Sequence, residues 1–254
     1  MVVEEIVTRV ATESCFSQCT ETQLKTYRGV LEEATSRRIP FAVGGSAALA
    51  LYCKIVRPIK DLDLYIKPEH APAMIDVVKQ IGLRDYYDQL PYDRGWIYRA
   101  SSDDVIVDVI WQMANRRTQV DDEWLTHGQE IQIAGQTARL MPLEELIWSK
   151  IYVLQRDRSD WPDILNIIDM TADQIDWRRL VSRVGDDTPL LFALLQIYAW
   201  LCPETAGRFP EWLQREMRLH NIRRRDGIEL TRQRAALLDS RNWLTSLSRE
   251  QRCS

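Results

Sequence analysis

Three carboxylates in this chain have the types and spacing to do chemistry: Asp61 and Asp63 in the run DLDLYI, and Asp108 in the run VIVDVIW. In an extended strand successive side chains alternate faces, so Asp61 and Asp63, separated by Leu62, project from one face roughly 7 Å apart along the chain. Asp108 is flanked by Val105, Ile106, Val107, Val109, Ile110 and Trp111, the near-continuous apolar pattern of a strand inside a sheet. An ionised carboxylate there is costly unless a cation meets it. Neither run contains a lysine or an arginine. If the two strands pair side by side, three carboxylates converge, and such a donor set suits hard, oxygen-preferring Mg²⁺ or Mn²⁺.

A second constellation lies just before the first. Phe41-Ala42-Val43 runs into Gly44-Gly45-Ser46 and then into the helix-like AALALY. Glycines let a backbone approach a ligand closely, and a helix N-terminus with exposed N–H groups and a capping serine favours an anion. The turn at Gly44, Gly45 and Ser46 therefore reads as a phosphate seat placed ahead of a metal seat. Arg57 and Lys60, between the two, are candidate phosphate partners.

Taken in order, GGSAALALY, Arg57, DLDLYI and a lone Asp in an apolar strand resemble the nucleotidyltransferase superfamily that includes DNA polymerase beta and small-molecule and toxin nucleotidyltransferases. The resemblance spans Phe41 to Asp108 and continues more weakly over Glu144 to Ile168. It implies that Gly45 and Ser46 hold the phosphates of an NTP such as ATP. It further implies that Asp61 and Asp63 bind both of two metal ions, while Asp108 binds the catalytic one and helps to activate an acceptor hydroxyl. In the run EELIWSKIYVLQRDRSDWPDILNII it implies a phosphate-directed Lys150, followed by Arg156 or Arg158 and the acidic pair Asp160 and Asp163. The chain departs from the family pattern at Pro58-Ile59, where members often carry threonine or serine. From its local context Asp160, ahead of Pro162, reads as a helix N-cap.

The activity so implied is metal-dependent transfer of an NMP group to an acceptor hydroxyl with release of pyrophosphate. The acceptor is open between a small molecule, a tRNA end and a protein side chain. A rival reading is a non-catalytic nucleotide-binding or regulatory member of a toxin–antitoxin pair, against which the retention of all three acids counts. A phosphohydrolase is disfavoured because no histidine joins the acids.

The rest of the chain bounds these readings. Its 254 residues, 45% hydrophobic and 28% charged, are ordinary globular material. A formal charge of -4 argues against wholesale coating of nucleic acid. The stretch from Gln214 to Arg234 nevertheless carries seven arginines against three acids, densest at Arg223, Arg224 and Arg225, and is a candidate RNA contact. Five scattered cysteines without a CxxC pair indicate neither a disulfide framework nor a zinc site and fit a reducing cytosol. No run approaches the roughly 18 to 20 apolar residues of a membrane span, and the acids in MVVEEIVTRV are unlike a signal peptide, so a cytoplasmic location is expected.

The elements that must position the acids follow from periodicity. Leu24, Tyr27, Val30, Leu31 and Ala34 mark one helical face, ended by Ile39-Pro40. A helix over Ala47 to Tyr52, a strand at DLDLYI, and a helix through Met74, Val77, Val78 and Ile81 closed by Gly82 come next. Gly95 to Tyr98 reads as a strand pairing with the Asp108 strand across Ser101 to Asp104, and Ile131–Ile133 with Thr137–Leu140 as a hairpin. Beyond Pro142 helices are expected over 143–155, 161–169, 175–184, 189–201 and 211–220, with Thr171 and Gln174 as a capping box and Gly185 as a stop. The expected fold is α+β, a nucleotidyltransferase-type mixed sheet flanked by helices over residues 1–141, followed by a helical domain over 142–254.

Overall fold

The computed structural model describes residues 16, 18–55, 58–155, 157–218, 228–238 and 243–247. The chain divides into two compact units, Met1–Leu146 and Ile147–Ser254.

The first unit opens with α1 (Glu21–Ser36). Thr20 caps it in a reciprocal box, its hydroxyl accepting from the Gln23 N–H while the Gln23 side chain accepts from the Thr20 N–H. Tyr27, Val30, Leu31 and Ala34 form its buried face. A short β1 (Ala42–Val43) leads into α2 (Gly45–Cys53) and then β2 (Asp61–Tyr65). A 3₁₀ turn at Pro68–His70 starts α3 (Ala71–Gln80), which is closed by Gly82 at φ +99°. Next come β3 (Arg84–Asp85), β4 (Ile97–Ser102), β5 (Val105–Ile110) and the single turn α4 (Asp122–Thr126). A hairpin of β6 (Glu130–Ile133) and β7 (Gln136–Arg139) turns through Ala134 and Gly135, both at positive φ.

The main sheet is mixed, in the order β1-β2-β5-β4-β3. β2 and β5 run parallel with Leu62 opposite Val107 and Leu64 opposite Val109, while the remaining pairs are antiparallel. Those four apolar residues are fully buried, as are Met74, Val77 and Val78 of α3, which packs on β4 and β5. Each such side chain contributes about 1.5–3 kcal/mol by leaving water. The same register places Asp61, Asp63 and Tyr65 on the opposite face, with Asp63 directly beside Asp108. Burial of one row therefore fixes the other, because a slip by one residue would turn the acids into the core.

In the second unit α5 (Leu143–Lys150), which crosses the division, is followed by α6 (Trp161–Thr171), α7 (Trp177–Val184), α8 (Thr188–Leu201), α9 (Pro203–Ala206), α10 (Glu211–Glu216) and α11 (Ile228–Leu238). α8 buries Leu191, Leu194, Leu195, Tyr198 and Leu201 and is packed by α6, α7, α9 and α11. Buried Asn166 ties in the C-terminal segment, donating to the Trp243 carbonyl and accepting from the N–H and hydroxyl of Thr245. No helix among the described residues is long and apolar enough to cross a membrane.

Two local expectations are corrected, and the expected N-cap at Asp160 is found in place. The helix from Leu143 stops at Lys150 rather than Gln155, because beyond it the Asp160 N–H donates to the Val153 carbonyl and the Gln155 N–H to the Arg158 carbonyl, bonds that a continuing helix could not make. Thr171 and Gln174 form no capping box: Thr171 ends α6 with its hydroxyl on the Ile167 carbonyl, and Asp176 caps α7 by accepting from the Arg179 N–H. Asp160 stands at the N-cap of α6 but makes no side-chain capping bond, since its carboxylate serves two cations instead.

Candidate active site

Pairing of β2 with β5 gathers the three acids. One carboxylate oxygen from each of Asp61, Asp63 and Asp108 lies within 4.8 Å of the others. Asp108 is only 2% exposed, whereas Asp61 and Asp63 are partly open to solvent. Burial pushes the Asp108 carboxyl above its ordinary value, aided by the nearby Asp61 charge, while a guanidinium holds it down.

That guanidinium belongs to Arg99. β4 pairs with β5 so that Arg99 stands directly across from Asp108, and its Nε and Nη2 donate to the two carboxylate oxygens at 2.7 and 2.5 Å. The same Nη2 lies 3.8 Å from Asp61 Oδ2. Arg99 is not legible from the two acid-bearing runs, neither of which contains it. The signal was present in the register: a two-residue turn at Asp103-Asp104, with Asp103 at φ +49°, sets Ser102 against Val105 and hence Arg99 against Asp108. The expected strand at Gly95–Tyr98 accordingly lies later, at Ile97–Ser102.

The glycine turn is built against the acids. The Gly44 N–H donates to the Asp63 carbonyl at 3.0 Å, and a Cβ at Gly44 would sit 2.4 Å from the Tyr65 ring. Gly45 has φ +55°, and a Cβ there would fall 1.6 Å from Asp63 Oδ2. Only glycine lets the start of α2 lie on that carboxylate. The helix itself is apolar on every side, with Ala47 to Cys53 all buried, and the Tyr52 hydroxyl donates to the Met141 carbonyl. Ser46 does not cap α2, whose N-cap is Gly44 and whose first turn has no side-chain cap. The Ser46 Oγ is buried with no hydrogen-bond partner among the described residues. An orphaned buried hydroxyl and uncapped helix N–H groups next to an acid triad fit a polyanion with its cations.

The remaining candidates are placed less centrally. Lys60 is exposed immediately before Asp61, and Arg57 lies outside the described residues, as do Arg156 and Arg223, Arg224 and Arg225. Lys150, in the second unit, donates to Asp160 at 3.0 Å and Asp163 at 2.8 Å. Arg158 adds a further contact to Asp160, 3.3 Å from its Oδ1. Tyr27, read only as a core position of α1, is fully buried with its hydroxyl unpartnered among the described residues. Burial raises its pKa, and the charges of Cys19, Asp61, Asp63 and Asp108 add to the shift.

The fold and the triad agree with the family comparison: residues 16–207 match a family described as an uncharacterised nucleotidyltransferase, and the chain belongs to that family. No curated protein matches the sequence. Among solved structures, the chain is similar to ANT(2'')-Ia in complex with adenylyl-2''-tobramycin, at 20% identity and a TM-score of 0.40 over 70% of this chain and 99% of that one. It is also similar to the lincosamide antibiotic adenylyltransferase LnuA bound to lincomycin, at 14% identity and 0.42 over 60% and 98% of the two chains. A third likeness is to JHP933 from Helicobacter pylori, at 16% identity and 0.39 over 92% and 98%. The assignment rests on the family match.

Proposed function

We propose that the protein transfers an NMP group from an NTP to an acceptor hydroxyl, with Asp61, Asp63 and Asp108 as the metal-binding and catalytic acids. The observation that carries this is the convergence of three carboxylate oxygens within 4.8 Å, against a glycine turn that only glycine can make, in a chain of the nucleotidyltransferase family. Mg²⁺ or Mn²⁺ held by these acids would supply charge stabilisation at the attacking and leaving oxygens.

The chain's own residues do the rest. Ser46 Oγ and the first N–H groups of α2 receive the triphosphate and orient it beside Asp61 and Asp63, which would hold the metal ions. Asp108, beside the point where the acids converge, is the group assigned to accept the proton of the acceptor hydroxyl. The acceptor oxygen bonds to the α-phosphorus, the bond from that phosphorus to the bridging oxygen breaks, and pyrophosphate leaves with the electron pair. Lys60 and Arg57 are the basic residues of the first unit assigned to the phosphates, whereas Lys150 is engaged by Asp160 and Asp163.

The test is to incubate the protein with each α-labelled nucleotide, Mg²⁺ and a cell extract. Label should appear in one acceptor fraction, with pyrophosphate released in equal amount, and Asp63→Asn should abolish both. Nucleotide binding with no label transferred from any nucleotide would favour the non-catalytic reading.

A further inference from the structure

We infer that Arg99 is a built-in counterion of the acid triad that competes with divalent cations for the Asp108 carboxylate, so that loading the site exchanges one cation for another. The inference rests on the reading of the triad as a metal centre and adds to it a residue that opposes metal binding.

The geometry sets up the competition. Both Asp108 oxygens accept from the planar fork of Arg99, so a divalent cation entering at Asp108 meets the guanidinium charge on the same carboxylate and competes with it. The same guanidinium reaches to 3.8 Å from Asp61, and so it flanks the point on which the three acids converge. Arginine cannot relieve that repulsion by losing its proton. Relief comes from moving the side chain.

The surroundings allow that movement. Arg99 is 34% exposed against 2% for Asp108, so the guanidinium can turn outward while the carboxylate stays. The Tyr86 ring lies 5.8 Å from the Arg99 Cζ and offers the departing cation an aromatic face. Its backbone does not follow, because β4 is paired on both edges and the Tyr92 hydroxyl accepts from the Arg99 N–H at 2.9 Å. A nucleotide triphosphate gives the released guanidinium a new anionic partner, so metal and nucleotide should bind better together than apart.

The experiment is a Mn²⁺ titration followed by electron paramagnetic resonance, without nucleotide, on the wild type, Arg99→Met and Asp63→Asn. Removing a charge-assisted bidentate competitor should tighten Mn²⁺ binding about tenfold in Arg99→Met. Thermal unfolding should show the metal-free variant less stable than wild type, with a larger rise on adding Mn²⁺. Equal or weaker Mn²⁺ binding by Arg99→Met would overturn the inference and leave Arg99 a structural cross-strand partner. If the wild type binds Mn²⁺ no better than Asp63→Asn, the metal-centre reading itself fails first. Should Arg99→Met not fold, Arg99→Lys, which cannot make the fork, should still tighten binding by a smaller factor, and no change would be equally fatal.

Discussion

Two acid clusters in this chain look alike in sequence and differ in construction. In the first unit Asp61, Asp63 and Asp108 aim oxygens at one point, and Arg99 grips Asp108 from an adjacent strand while reaching Asp61. In the second, the Lys150 ammonium sits between Asp160 and Asp163, and Arg158 covers Asp160 from outside. The Lys150 and Asp160 side chains are 13% and 12% exposed, a closed pair whose cation already stands where the acids meet. In the strand-built cluster the cation Arg99 stands to one side, on Asp108, and one oxygen from each of the three acids lies within 4.8 Å of the others.

The largest expected effect separates the two by chemistry. Asp63→Asn or Asp108→Asn should lower label transfer on the order of a thousandfold or more while the protein still unfolds cooperatively. Full activity in either variant would remove that residue from the catalytic set. Lys150→Met should instead cost about 1 to 3 kcal/mol of stability in chemical denaturation, since it strands two partly buried carboxylates. A variant as stable as wild type would show that the second cluster is not the closed pair described.

Ser46→Ala sharpens the contrast at the phosphate seat. Its Oγ has no hydrogen-bond partner among the described residues, so the alanine variant should be no less stable without ligand. It should bind nucleotide about 1 to 2 kcal/mol more weakly in a calorimetric titration. Unchanged affinity would put the phosphates elsewhere.

The smallest effect is a pH dependence. Burial raises the Asp160 pKa, but Lys150 and Arg158 outweigh it and the net shift is downward. A carboxyl depressed in the folded state lends stability above its unfolded value, and that stability is lost as pH falls through the folded one. The melting temperature should therefore drop more steeply below about pH 4 in wild type than in Asp160→Asn. Parallel curves would mean that Asp160 is not held down by its cations.

What the sequence reveals and withholds follows the range of the interactions. The acids, their strands and the glycine turn are local patterns, and the apolar rows through Leu62, Leu64, Val107 and Val109 dictate how those strands face. Arg99 needed a register count across a turn, and Ser101 and Ser102, poor strand formers, hid the strand that contains it. The early end of α5 at Lys150 was invisible because it is set by backbone bonds from Asp160 to Val153 and from Gln155 to Arg158 and by Lys150 pairing ten and thirteen residues ahead. The pair of glycines was legible, but not the reason for Gly45, which is a carboxylate eighteen residues on.

The central claim is that the strand-built cluster takes a divalent cation and the helix-built cluster does not. Mn²⁺ binding to wild type, the Asp63→Asn/Asp108→Asn double variant and Lys150→Met, measured under one set of conditions, tests it most directly. The account predicts that the double variant loses Mn²⁺ binding while Lys150→Met keeps wild-type affinity. Undiminished Mn²⁺ binding by the double variant would contradict it.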